Sequence, residues 1–375
     1  MSDAADEDAD GDAESEADAG PTAGRGGADR DPPSVLCAGH INWDVTMQVA
    51  RLPEPDGEQR IDHLQQAGGG SAANVAVGLT GLNAETLLFG SVGGDDSGAL
   101  ALQELDRAGV DPGNVMVAND RATSVKYLIV DETGEVMVLA NEGANEAFGA
   151  ADLDPDDLAG SDHLHLTGQN AASASDLAAL AHERGVPVSF DPGRQVGNRA
   201  YADAIAASDL LFVNDREAAA LGRTGTLDPE APESTALVVK LGAGGAEVRL
   251  PGGERVHAPA YDVDVVDTTG AGDAFAAGFL GACFESARNH EPEREVDGGR
   301  SVEGGVGGRT AETASETDAD RPRGIPGTEA PHLRDADLPY ALGIANAAGA
   351  LAARERGART TLTWERIDAF LAEHA

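Results

Sequence analysis

At 375 residues the chain exceeds one modest domain, a length at which α/β proteins often fold around one large core with a small appendage. Its formal net charge of −40, from 66 acidic and 26 basic residues, argues against a nucleic-acid partner, because a phosphate backbone demands the opposite sign. Lys126 and Lys240 are the sole lysines, and the acids are spread over most polar segments, which reads as adaptation to high salt, where screening shortens self-repulsion.

Residues 1–33 hold Asp, Glu, Ala, Gly and Pro with almost nothing to bury and predict a disordered tail, leaving 34–375 as one domain. The first strand is predicted over Val35–Gly39. Asn42 and Asp44 follow it, at the carboxyl end of a strand, where ligands sit in a parallel sheet. A short amide and carboxylate there can exchange hydrogen bonds with sugar hydroxyls, or simply form an Asx turn. Segments 43–66 and 123–139 alternate more like antiparallel strands, most clearly in Val125-Lys126-Tyr127-Leu128-Ile129-Val130. Between them, Gly68-Gly69-Gly70-Ser71-Ala72-Ala73-Asn74-Val75-Ala76 is a glycine cluster running into the alanine-rich helix Val75–Leu82.

Further strands are predicted at Glu85–Gly90, Leu164–Thr167, Val186–Phe190, Leu210–Val213, Ala236–Lys240 and Glu247–Leu250. Helices are predicted at Ser97–Ala108, Ser173–Arg184, Tyr201–Ala207, Asp215–Leu221, Ala274–Cys283 and Leu338–Arg356. Such alternation implies a mostly parallel sheet covered by helices on both faces. A strand-like approach (Val263, Val265, Val266) leads into Asp267-Thr268-Thr269-Gly270-Ala271-Gly272-Asp273-Ala274-Phe275 and then a helix. Glycines before a helix N-terminus make an anion site, because the backbone comes close and unpaired N–H groups point outward. Asp273 within that turn is either an N-capping residue or a base that takes a proton from an attacking hydroxyl. Residues 287–331, rich in Gly, Glu, Arg and Thr, predict a low-complexity insertion on the surface. Cys37 and Cys283 lie in apolar stretches without C-x-x-C spacing, so buried free thiols in a cytoplasmic protein are expected. No apolar run reaches membrane-spanning length, and no membrane partner is expected.

The Gly68–Ala76 and Asp267–Phe275 runs together resemble the two signatures of the ribokinase, or PfkB, family of sugar and nucleoside kinases, here of a halophilic archaeal type. The resemblance extends from Val35 to Leu371 with one interruption. It implies a ribokinase-like α/β fold whose central, mostly parallel sheet is flanked by helices, with segments 43–66 and 123–139 forming a small β-strand lid. The lid is also a candidate homodimer contact. The implied reaction is phosphoryl transfer from ATP with Mg²⁺, Asp273 acting as the base and the N–H groups of Gly270, Ala271 and Gly272 as the anion hole.

The same resemblance implies that Asn42, Asp44, Gly69, Gly70 and Asn74 hold the sugar and that Glu142 lies over it. Asn214 and Glu217 match an Asn-x-x-Glu motif that orders Mg²⁺ and phosphate through water, although Asn214 followed by an acidic turn also reads as a helix cap. Lys240, Gly242 and Gly245 fall where relatives run along the nucleotide, Asn346 where they flank the adenine, and Asp267 where many hold a monovalent cation, here K⁺. Lys126, Arg60 and Arg194 are basic side chains near the expected pocket of an acidic protein and would suit a phosphate on the sugar, or be ordinary ion pairs. Ribose 1-phosphate therefore leads as acceptor. Ribose and nucleosides follow, then 2-keto-3-deoxygluconate and fructose phosphates. A non-catalytic sugar or nucleotide sensor is the alternative of another class, and a carboxylate kept beside phosphate speaks against it.

Overall fold

The computed structural model describes residues 31–133, 135–290, 324–326, 328 and 330–375. The chain starts in β1 (Ser34–Ala38), continues through β2 (Asn42–Val49) and β3 (Ile61–Gly69), and returns by α1 (Ser71–Gly81) to β4 (Glu85–Gly93). Helix α2 (Asp96–Arg107) leads to β5 (Val115–Ala118), followed by β6 (Ser124–Val130) and β7 (Val136–Ala140). Then come α3 (Pro155–Ala159), β8 (His163–Thr167), α4 (Ala171–Glu183), β9 (Val188–Asp191), α5 (Ala202–Ala206), β10 (Leu210–Asn214) and α6 (Asp215–Thr224). Strands β11 (Ala236–Lys240), β12 (Ala246–Arg249) and β13 (Arg255–Ala258) precede α7 (Ala271–His290), α8 (Pro331–Arg334), α9 (Leu338–Ala353) and α10 (Trp364–Glu373).

The large sheet runs β13-β12-β11-β10-β9-β8-β1-β4-β5. From β11 to β5 every neighbour pairs in parallel, and β12 and β13 finish the sheet as an antiparallel meander. Along β1, Val35 and Cys37 enter one apolar core, while Leu36 and Ala38 enter the other. Strand β10 divides Phe212 from Val213 in the same way, and β11 divides Val238 from Val239. Apolar residues on both sides of a two-residue period mark strands buried on both faces. Helices α1, α7 and α9 supply the first core, and α4, α5 and α6 the second. The alanine-rich pair α7 and α9 packs closely: a Cβ on Gly278 would stand 2.8 Å from that of Ala348.

The small sheet runs β3-β2-β6-β7. Its outer pairs are antiparallel, as the alternation predicts, but the central pair β2–β6 is parallel. The reason is connectivity. β2 follows β1 and β6 follows β5, both parallel members of the large sheet, so both leave that sheet in the same direction.

Two short strands, β5 and β13, escape the sequence reading, and one expected strand is not formed. Val263–Val266 is irregular, with Val265 61% and Val266 53% exposed. The N–H groups of Val266 and Asp267 both donate to the Ala353 carbonyl, at 2.8 and 3.2 Å. The segment thus pairs with an unpaired carbonyl at the C-terminus of α9 instead of a strand. The expected tail, except for its last residues, lies outside the described residues, as does the expected insertion over 291–323. At the insertion's edges α7 continues to His290, and Ile325 and Ala330 are buried.

Candidate active site

The two glycine-rich turns meet at the carboxyl end of the large sheet, beneath the small one. At the second, Gly270 has φ +74°, and a Cβ there would stand 2.0 Å from the Ala358 carbonyl, so the turn into α7 requires glycine. The Ala271 N–H donates to Thr268 O at 3.2 Å and would have to give up that bond to receive an anion. Asp267 stitches this loop down, Oδ1 accepting from Thr269 N at 2.8 Å and Oδ2 from Gly357 N at 3.0 Å.

Asp273 sits in the first turn of α7 and accepts a 2.8 Å hydrogen bond from Asn74 Nδ2. That single bond joins the two signatures. Burial raises the Asp273 carboxyl to about 6, and the nearby Asp191 carboxylate adds to the rise. Asn74, Lys240 and Ser71 pull it back.

On one side of Asp273 lies a buried ionic cluster. Lys240, at the end of β11, donates to Asp191 Oδ2 at 2.7 Å. Its ammonium also lies beside the anion turn, 3.4 Å from where a Cβ of Gly272 would stand. Burial works against that charge, but Asp191, Glu217 and Asp273 outweigh it and raise the lysine's pKa. Asn214 and Glu217 cap α6 reciprocally, each side chain accepting from the other's N–H at 2.9 Å. Burial, followed by Asp191, raises the Glu217 carboxyl above its ordinary value. Arg194 is exposed, and its charge acts on Glu217, which puts it on this side and not at the small sheet. Gly242 and Gly245 form a turn with φ +58° and +85° after β11. Asn346 donates to the Ala258 and Pro259 carbonyls at 3.2 and 3.0 Å, tying α9 to the end of β13.

On the other side are the strand ends of the small sheet. Asn42 is buried, and its Oδ1 accepts from Asn145 Nδ2 at 2.7 Å. A Cβ on Gly69 would strike the Asp44 carboxylate at 2.3 Å, and one on Gly70 the His40 carbonyl, also at 2.3 Å. Burial raises the Asp44 pKa, with Lys126 and Arg359 opposing. Lys126 lies opposite Asp44 in the β2–β6 register. Four buried polar atoms here, Asn42 Nδ2, Asp44 Oδ1, Thr167 Oγ1 and Gln169 Oε1, have no hydrogen-bond partner among the described residues. Buried orphans of this kind, clustered at the ends of neighbouring strands, are the mark of a site that a polar ligand completes. A groove running on from Asp44 is lined by Thr46 and Ala67 of the small sheet and by Asp267, Thr269 and Ala358.

Two of the anticipated residues are not drawn into the buried cluster. Glu142 is exposed; Asn145, in the same loop, is the residue turned onto Asn42. Arg60 is 89% exposed in its side chain and pairs with Asp62 at 2.8 Å. Four others are site residues that the sequence reading did not single out: Asp191, Gln169, Asn145 and Arg359. Gln169 sits just past β8 and is within reach of the rule that ligands gather at strand ends. Its carbonyl accepts from Tyr201 Oη at 2.6 Å and from Arg199, which also pairs with Glu146 at 2.5 Å. Arg359 carries no sequence signal and reaches the site only through the fold.

Residues 32–294 match the pfkB family of carbohydrate kinases. The ATP-dependent ribose-1-phosphate kinase of Halopiger xanaduensis is 44% identical over 345 residues, 90% of this chain and 98% of that protein. A nucleoside kinase of Methanothermobacter thermautotrophicus is 27% identical over 263 residues, 69% of this chain and 84% of that protein. Among solved structures, the nucleoside kinase of Methanocaldococcus jannaschii superposes with a TM-score of 0.67 at 20% identity, covering 92% of this chain and 99% of that one. Arabidopsis thaliana ribokinase complexed with ribose and ATP gives 0.67 at 21%, covering 91% and 99%. At that identity these structures bear on the fold, which is the ribokinase fold. The chain belongs to the PfkB family of carbohydrate kinases.

Proposed function

We propose that this PfkB-family kinase transfers the γ-phosphoryl group of ATP to the primary hydroxyl of ribose 1-phosphate, giving ribose 1,5-bisphosphate. The observation that carries the reading is the Asn74–Asp273 bond, which sets a carboxyl of pKa about 6 between the acceptor-side orphans and the buried Lys240. Such a base is ionised at neutral pH yet basic enough to take a hydroxyl proton as the oxygen attacks. The N-terminus of α7, with Gly270, Ala271 and Gly272, and the Lys240 ammonium stabilise charge on the group in transit. Closure of the small sheet excludes water from the reaction.

Mg²⁺ suits this donor set. Glu217 would hold it through water, with the Asp191 carboxylate nearby, and Mg²⁺ bound to a nucleotide keeps several waters. When bound, it would neutralise charge on the phosphates of ATP. Asn214, the Gly242–Gly245 turn and Asn346 are proposed to line the nucleotide, with Arg194 near its phosphates. K⁺ is proposed at the loop where Asp267 meets Gly357. A homodimer through the lid is supported by its exposed Leu64 (50%), Val138 (51%) and Leu139 (55%). We assign the protein to the cytoplasm on its buried free thiols, Cys37 and Cys283; no helix among the described residues is long and apolar enough to cross a membrane.

The acceptor reading rests on the 44% identical relative and on an economy of charge. A chain with two lysines keeps one beside the anion turn and the other opposite Asp44. Asn42, Asp44 and Gln169 suit ribose hydroxyls, and Lys126 suits the phosphate. The test is ADP release with ATP, Mg²⁺ and a panel of ribose 1-phosphate, ribose and nucleosides in molar KCl. Ribose 1-phosphate should be the best acceptor. Lys126→Met should raise its KM about ten- to a hundredfold and leave residual turnover of ribose unchanged. A preference for ribose or a nucleoside would overturn the acceptor and leave the kinase reading standing.

A further inference from the structure

Arg359 lies between α9 and α10, 285 residues from Asn74 in sequence, with its side chain 13% exposed. Three acceptors hold its guanidinium. Nε donates to Asn74 Oδ1 at 3.1 Å, Nη2 to the Gly69 carbonyl at 3.3 Å and Nη1 to Glu104 Oε2 at 3.4 Å. Glu104 is itself fixed, because Oε2 also accepts from Gly68 N at 2.6 Å. Gly68 must be glycine for this arrangement: a Cβ there would stand 2.2 Å from Arg359 Nη1 and 2.8 Å from Glu104 Oε2.

A side-chain amide can turn over, exchanging its donor end for its acceptor end. A guanidinium carries donors only, so its bond to Asn74 holds the amide oxygen toward Arg359 and the amide nitrogen toward Asp273. We propose that Arg359 is a positioning residue for phosphoryl transfer: through Asn74 it fixes a hydrogen-bond donor on the catalytic carboxylate, with Glu104 and Gly68 holding it in place. The proposal rests on the reading of Asp273 as the base.

Asp273 is faced by Asn74 and Ser71 from α1, Asp191 from β9, Lys240 from β11, and the charge of Arg359. Without Arg359 the Asn74 amide is free to turn and accept from the protonated carboxyl, which stabilises the neutral form. The positive charge of the guanidinium is lost as well. Both changes disfavour the ionised base, so ionisation moves to higher pH.

The experiment compares wild type, Arg359→Met, Arg359→Lys, Glu104→Gln and Asp273→Asn as full chains in molar KCl. It reads the pH profile of kcat/KM, the KM for ATP and the melting temperature. Arg359→Met should move the acid limb upward by at least about half a pH unit, with the KM for ATP unchanged. Arg359→Lys, which keeps the charge, should recover part of the shift. Glu104→Gln loosens the guanidinium without replacing a residue of the site, and should shift the limb in the same direction even if Arg359→Met folds poorly. A role confined to packing would lower the melting temperature and leave the limb in place. Substantial turnover by Asp273→Asn would remove the base reading and this proposal with it. An inactive Asp273→Asn together with unmoved limbs in the Arg359 and Glu104 variants would overturn the positioning role alone.

Discussion

Asp273 can accept a proton only while ionised, so its elevated pKa fixes the sign of the pH dependence. With the carboxyl at about 6, kcat/KM should fall as pH drops below that value and level off above it. Asp273→Asn keeps the hydrogen bond to Asn74 within reach but has no basic oxygen. Its kcat should fall by at least about a hundredfold, with ATP affinity retained or slightly improved. Near-normal turnover in that variant would show that another group takes the proton. The two runs that meet in the Asn74–Asp273 bond were legible in the sequence, Asp273 from the chemistry of its turn and Gly69, Gly70 and Asn74 from the resemblance of their run to a family signature. Arg359 was not, because what brings it to Asn74 is a contact across 285 residues of chain. The loop around Asn145 was legible, but which of its side chains turns inward was not. An amide can satisfy both Ile41 N and Asn42, whereas the carboxylate of Glu142, were it turned inward, would need a cation as partner.

At the scale of elements, the strands reaching the two cores were readable from their apolar runs, while β5 and β13, short and at the sheet edges, lack that signature. A second illegible feature is a buried chain of histidines. His332 on α8 is hydrogen-bonded to His163 on β8 at 3.1 Å, and His163 to Ser189 on β9 at 2.7 Å. Ser189 is in turn bonded to His165 at 2.7 Å. The Ser189 hydroxyl can donate to only one of its two ring nitrogens and must accept from the other, so the tautomers of all three rings are set together. Burial lowers the pKa of His165 to about 4 and of His332 to about 3, and that of His163 well below 6.5. An unfolded chain takes up these protons near pH 6.5, and the folded one does so only near its depressed values. Each histidine therefore removes stability as pH falls through that window, by about 1.4 kcal/mol per pH unit at most. Asp273, with its raised pKa, acts in the opposite sense below pH 6, so a difference between variants is the clean measurement. In denaturant titrations at pH 7.5 and 5.5, His332→Phe should be less stable than wild type at the higher pH. It should lose about 1 kcal/mol less on acidification. Equal losses in the two proteins would mean that His332 is charged in the fold or remains neutral in the unfolded chain.

The whole molecule carries a charge of −40, and this bears on stability and on catalysis through different distances. Repulsion among exposed carboxylates acts across the surface. It is weakened when the screening length falls from about 10 Å at 0.1 M salt to about 3 Å at 1 M. The Lys240–Asp191 pair, by contrast, is largely buried at 2.7 Å and is screened little. Raising ionic strength should therefore raise the melting temperature steeply in either salt, because screening does not distinguish the two cations. A cation held at the loop where Asp267 joins Gly357 would make that distinction. At equal ionic strength, kcat should then be higher in KCl than in NaCl and saturate with K⁺, with a melting temperature that is higher in KCl by the small binding contribution alone. Removing the carboxylate in Asp267→Ala should abolish the difference in kcat and leave the salt dependence of melting intact. A melting temperature that ignores salt would refute adaptation to high salt. Identical kcat in the two salts would refute the cation loop without touching the screening of the surface.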